Sequence, residues 1–246
     1  MTDQVLPIEG QPLTQVQRVV DTFIAPSKTF TDILRSSSWW LPFLLGVVVA
    51  YALTLGIGQK VGWSTVVDNE IQANPKLQAQ VADASPEIAA TIHKRMLYGY
   101  EGSFFASPVI NILSLLFMAV ILWPTINFGF AGKASYGQVF SVLNYAYLPA
   151  MIKGLIAVIV LYVGSSAENF TVENMLGTNP GYYIETPGAL KTLLTSFDIF
   201  TLWTLVLLSM GLAIVARTKR STGFIVVFGW WLLIVLVKTG VGALQS

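Results

Sequence analysis

Of 246 residues, 54% are hydrophobic and only 11% charged, with a mean hydropathy of +0.65; soluble domains carry about a quarter of their residues as charges, so this chain belongs in a bilayer. A formal charge of +1 and the lack of any Lys/Arg block with interleaved aromatics argue against a nucleic-acid partner. The absence of cysteine excludes disulfides, thiolate metal sites and cysteine nucleophiles.

Residues 1–38 hold Asp3, Glu9, Asp21 and Asp32 and show no apolar stretch behind a basic start, so they read as a cytoplasmic segment and not as a cleavable signal peptide. Within them Leu13, Val16, Val20 and Phe23 recur at helical spacing, with Gln17, Arg18 and Asp21 opposite, until Ala25-Pro26 ends the pattern. Two readings stand for this helix: it lies on the cytoplasmic leaflet, or it packs against the membrane bundle. Only Arg18 and Lys28 are available to attract anionic lipid. A second short segment, residues 27–35, opens on the capping residue Ser27 and groups Phe30, Ile33 and Leu34.

The charge-free run 39–58 has the ~20 residues needed to cross a hydrocarbon core of roughly 30 Å, and is span one. Trp39, Trp40 and Trp63 bracket it as an aromatic belt. In the outer loop that follows, residues 59–107, Asn74-Pro75 and Ser85-Pro86 each pair a capping residue with proline at the first helical position and predict two helices. Ile88, Ile92 and Met96 make an apolar stripe that reads as packing, not as a ligand site. The single histidine, His93, sits beside Lys94 and Arg95 and reads as a surface residue.

Span two is placed at residues 108–130, with Asn111 and Asn127 as interhelical hydrogen-bonding groups. Span three, residues 138–164, contains Pro149 and Lys153, neither of which hydrocarbon tolerates cheaply. Ala146, Ala150 and Gly154 form a small-residue row that lets another helix approach. Lys153 falls within about 20° of Ala146 on a 3.6-residue helix and so points toward protein, while Asn144 lies nearly opposite. In the second outer loop, Asn179-Pro180-Gly181 and Thr186-Pro187-Gly188 mark turns, and Asn169-Phe170-Thr171 fits a glycosylation sequon.

Span four, residues 199–216, begins beside Asp198, the candidate partner of Lys153. With span four starting at the outer rim, about 11 residues separate Lys153 from that rim, a vertical gap of roughly 16 Å. Two readings of the lysine remain open: an ion-coupling group, or a structural residue that snorkels outward or caps the carbonyl freed near Pro149. Ser209 reads as an interhelical hydrogen-bonding group, and Trp203, Trp230 and Trp231 as packing residues. Span five is 222–243, with Lys238 near an interface.

The short connections carry Lys133, Arg217, Lys219 and Arg220 and no acids, whereas the longer loops carry five bases against nine acids. The positive-inside rule then places the N-terminus in the cytoplasm and, with five spans, the C-terminus outside. No nucleophile elbow, P-loop, glycine-rich dinucleotide turn or paired intramembrane aspartates occur. No catalytic, cofactor-binding or metal-binding residues are therefore assigned, and no cofactor is implied.

The stretch Gly132-Lys133-Ala134-Ser135-Tyr136-Gly137-Gln138-Val139-Phe140, followed by Asn144-Tyr145-Ala146-Tyr147-Leu148-Pro149, resembles the Yip-domain membrane proteins, named for their interaction with Ypt/Rab GTPases. Phe197-Asp198-Ile199-Phe200, Leu202-Trp203 and Gly211-Leu212-Ala213 look like the family's next helix. Ala25-Pro26-Ser27-Lys28-Thr29-Phe30 and Trp40-Leu41-Pro42 resemble its prokaryotic branch. The resemblance implies five spans with a cytoplasmic N-terminus, and marks Tyr136, Tyr145 and Pro149 as motif residues. Eukaryotic members are implicated in vesicle trafficking, Rab binding and membrane shaping. Here Trp39-Trp40-Leu41-Pro42 replaces the Asp-Leu-x-Gly-Pro element expected near span one, and a long outer loop is inserted, so Rab binding does not carry over.

The expectation is thus an all-α, five-span integral protein of a prokaryotic inner membrane, with a cytoplasmic segment (1–38) and a membrane domain (39–246). The leading function is non-enzymatic, membrane-organising or protein-interacting, with self-association or other membrane proteins as partners. The alternative is a small-solute or ion transporter using Lys153. A third reading is membrane shaping by the N-terminal amphipathic segment.

Overall fold

The computed structural model describes residues 11–164, 170–172, 175–184 and 186–243. No strand occurs among them. In chain order the helices are α1 (Gln15–Ile24), α2 (Pro26–Ile33), α3 (Trp40–Lys60), α4 (Trp63–Ala73), α5 (Pro75–Ala82), α6 (Pro86–Phe105), α7 (Ser107–Gly129), α8 (Tyr136–Ala146), α9 (Leu148–Val163), α10 (Ala189–Thr195), α11 (Ile199–Val215) and α12 (Arg220–Ala243), with a short 3-10 turn at Pro180–Tyr183.

Among the described residues, four segments are long and apolar enough to cross a membrane: Trp40–Lys60, Ser107–Gly129, Tyr136–Val163 and Arg220–Ala243. A fifth crossing exists only if α10 and α11, bent by 55° at their junction, are taken as one broken span. The fourth span of the sequence is therefore not a simple helix beginning at residue 199. The third is interrupted as well. Pro149 has no N–H to donate to the carbonyl of Tyr145, and the ladder lapses at Tyr147 before α9 resumes.

The contacts divide the chain into two compact units. The first takes Met1–Leu45, Ile112–Pro149 and Trp203–Trp231. In it Phe30 of α2 is wholly buried. Phe30 meets Gly211 so closely that a Cβ added there would lie 2.6 Å from Val142 Cγ1 and 2.8 Å from Phe30 Cδ1. The tight turns of this unit use left-handed residues that are not glycine. Ala131 and Arg217 both have φ of 55°, a cost of about 1–2 kcal/mol each. Each is followed by an amide that reaches back to close its helix, Gly132 to Ile126 at 3.0 Å and Thr218 to Ala213 at 3.0 Å. Lys133 N–H donates to the Ala216 carbonyl at 2.9 Å and ties the two turns together. Asn127, expected to bond between helices, instead clasps its own turn through both the amide and the carbonyl of Ala134.

The second unit takes Gly46–Asn111, Ala150–Leu202 and Leu232–Ser246. Asn74 and Ser85 cap α5 and α6 by accepting from Leu77 and Ile88 amides. Helix α4 has no such signal; it starts after Gly62, whose φ of 83° no β-branched residue would accept. Its Asn69 donates to the Phe170 carbonyl at 2.9 Å, and Glu70 accepts from Val172 N–H at 2.7 Å. These bonds close a core of Ile57, Val61, Val66, Leu161 and Phe170. His93 meets an exposed partner on α4, its Nε2 3.1 Å from Asp68 Oδ1. Ile88, at the head of the expected packing stripe, is exposed. The sequon falls outside the described residues at Asn169.

Candidate functional site

The break between α10 and α11 gathers the polar chemistry of the second unit. Asp198 occupies the N-cap position of α11, where its Oδ1 accepts from the amides of Phe200 at 3.0 Å and Thr201 at 3.2 Å. A carboxylate there satisfies two otherwise orphaned N–H groups and sits on the positive end of the helix. Its Oδ2 accepts from Lys153 Nζ at 2.8 Å and from Thr178 Oγ1. Thr178 also offers its carbonyl to the Ile199 amide at 3.2 Å, so the chain around Thr178 is fastened to the same helix start.

Sequence spacing alone left a gap of roughly 16 Å between lysine and aspartate. The structure closes it because Asp198 lies at the 55° bend between α10 and α11, where Lys153 Nζ on α9 reaches it. Lys153 reaches Asp198 and not the carbonyl freed near Pro149. The two side chains differ in enclosure: Lys153 is 33% exposed and Asp198 5%.

The small-residue row, expected to let another helix approach, meets one within the chain at its Gly154 end. The interruption at Tyr147 places Ala146 on α8, where it is buried, and Ala150 and Gly154 on α9. A Cβ at Gly154 would stand 2.7 Å from Val49 Cγ1 on α3, so this end of the row is used within the chain. Asn144 is buried and bonds the Phe140 carbonyl of its own helix, and Ser209 likewise bonds Leu205. Trp230 donates to Thr125 at 3.2 Å, and Trp203 meets Phe23 edge-on.

A second charged cluster, in the first unit, escaped sequence reasoning. Arg18 of α1 donates from Nε to Asp32 Oδ2 on α2 at 2.7 Å, from Nη2 to the Asp32 carbonyl at 3.3 Å, and from Nη1 to the Ser36 carbonyl at 2.8 Å. Its own carbonyl accepts from Thr22 and Thr29 hydroxyls. Arg18 and Asp32 are 2% and 4% exposed. The motif tyrosines join this framework. Tyr145 donates to Gln15 Oε1 at 2.8 Å, and Tyr136 donates to the Leu116 carbonyl at 2.9 Å. The available clue was that two opposite charges lay in consecutive short helices of a very apolar chain, where a buried charge requires a partner.

Two comparisons bear on identity. The family model described as Yip1 domain matches residues 20–240. A protein of Bacillus subtilis (strain 168) named membrane protein YknW is 24% identical over 213 residues, covering 86% of this chain and 84% of that protein. No solved structure matches the chain.

Proposed function

Because the chain belongs to the Yip1-domain family of membrane proteins, we propose that it works as a non-enzymatic organising component of a prokaryotic inner membrane, associating with other membrane proteins or with itself. The N-terminus lies on the cytoplasmic side and the C-terminus outside, as the basic residues Lys133, Arg217, Lys219 and Arg220 of the short turns favour.

The observation that carries this reading is the saturation of Asp198. Each oxygen accepts two donors, all supplied by the chain: Lys153 and Thr178 on one, the amides of Phe200 and Thr201 on the other. A carboxylate so engaged acts as a pin between α9, the outer loop and α11. Use as an ion-coupling group would require exchanging these partners within a low-dielectric setting, where each loss is costly. The solute-transport alternative therefore gains no support from the geometry. Gly154 of the small-residue row is used against α3 within the chain. The exposed apolar faces, such as Leu236 and Val237 on α12, are what remains for partners and lipid.

The test is photo-crosslinking from Leu236 and Val237 in native membranes, alongside flux measurements in proteoliposomes. Discrete protein adducts and no flux of sodium, potassium or amino acids above empty vesicles are expected. Adduct-free crosslinking, together with a flux that Lys153→Met abolishes, would overturn the reading.

A further inference from the structure

Helix α1 is built inside out for a segment in water. Its exposed residues include Val16 at 66%, Val20 at 49% and Ile24 at 74%, beside Gln17. Its arginine is 2% exposed, and Thr22 is fully buried. These residues sort by angle: Val16, Val20 and Ile24 share one side of the helix and Arg18 and Thr22 the other. A helix facing water turns its apolar side toward protein; this one turns its polar side there.

The neighbours of α1 fix the level at which this occurs. Gln15 bonds Tyr145, which lies about nine residues, roughly 13 Å, along α8 from its start. Phe23 packs edge-on to Trp203, with ring centroids 5.6 Å apart. Trp203 lies about 12 residues, roughly 18 Å, along α11 from its end at Val215. Those two helix ends are joined by the bond from Lys133 to Ala216. The hairpin of α1 and α2 thus sits well along α11 and along α8, which belongs to the Tyr136–Val163 span, past the basic turns that mark the interface.

We infer that residues 15–33 form a hairpin embedded in the bilayer, with Val16, Val20 and Ile24 against acyl chains of the leaflet that holds the Lys133 and Arg217–Arg220 turns. Two observations select lipid as the occupant. The exposed stripe sits on spanning helices whose own outward residues, such as Phe117 and Val120 on α7, are apolar and exposed. Arg18 and Asp32 are turned inward and paired, as hydrocarbon requires and water does not. The other charges of the hairpin, Asp21 and the exposed Lys28, flank its turn at Ala25, where the lysine stem is long enough to snorkel. The inference stands or falls separately from the organising role proposed above.

The chain contains no cysteine, so nitroxide labels can be placed singly in the full-length protein by Val16→Cys, Val20→Cys and Ile24→Cys, with Lys94→Cys on exposed α6 as the aqueous reference. In vesicles of phosphatidylethanolamine and phosphatidylglycerol, the ratio of oxygen to nickel-chelate collision rates at the three α1 sites should exceed the reference several-fold. A ratio equal to that of Lys94→Cys would show a water-facing helix and overturn the inference. Low collision with both reagents, or spin–spin broadening between copies, would show a protein covering the stripe and overturn it equally. Each position is read alone, so failure of one variant to fold leaves the other two decisive.

Discussion

Two ion pairs, Arg18–Asp32 and Lys153–Asp198, answer the same problem of a charge in an apolar protein with different chemistry. In the first, a planar guanidinium spreads its donors over the carboxylate and carbonyl of Asp32 and the carbonyl of Ser36. Both members are enclosed. In the second, a flexible ammonium meets one carboxylate oxygen while helix α11 and Thr178 supply the remaining donors to Asp198. The comparison teaches where geometry is demanded. The N-terminal hairpin needs a fork that only arginine provides, whereas the bend before α11 needs a positive charge near a carboxylate already held by its helix.

Substitutions can break or sharpen that contrast. Arg18→Ala leaves the buried Asp32 with only the more distant Arg35, 3.8 Å away, and the Leu13 amide, and should cost about 3–4 kcal/mol, read as a large drop in thermal midpoint in detergent or loss of folded protein. Asp198→Ala removes an N-cap and a charge-assisted bond together; a smaller loss of about 2–3 kcal/mol is expected in the same assay. Arg18→Lys keeps the charge yet strands at least one buried carbonyl, for about 1–2 kcal/mol. At the other pair the equivalent exchange, Lys153→Arg, should shift stability by about 0.5 kcal/mol or less. If the two Lys/Arg exchanges proved equally costly, the distinction between the pairs would collapse.

Much of this was legible in the sequence. The charge-free run 39–58 became α3, and Asn74-Pro75 and Ser85-Pro86 became the starts of α5 and α6, because capping and apolar length are local properties. Helix α4 was not legible, since Gly62 offers no capping side chain. The periodicity of α1 revealed two faces but not which one meets protein, because in a bilayer the surrounding solvent is itself apolar. Pro149 advertised a perturbation in the third span; that it would separate Ala146 from Ala150 and Gly154 depended on where the helix resumed. Lys153 and Asp198 were both visible as candidates. Their approach to 2.8 Å depended on the bend between α10 and α11, which no residue between 189 and 198 announces.

The most direct measurement is a double-mutant cycle of Lys153→Met and Asp198→Asn, with unfolding free energies of all four proteins determined in one detergent. Asparagine can still cap α11, so the cycle isolates the charge pair. If the pair is a structural pin, Asp198→Asn alone should destabilise, and adding Lys153→Met should recover most of the loss, because no uncompensated charge remains. Singles with no effect on stability and strictly additive, combined with a solute flux lost on Lys153→Met, would contradict the account and return Lys153 to a transport pathway.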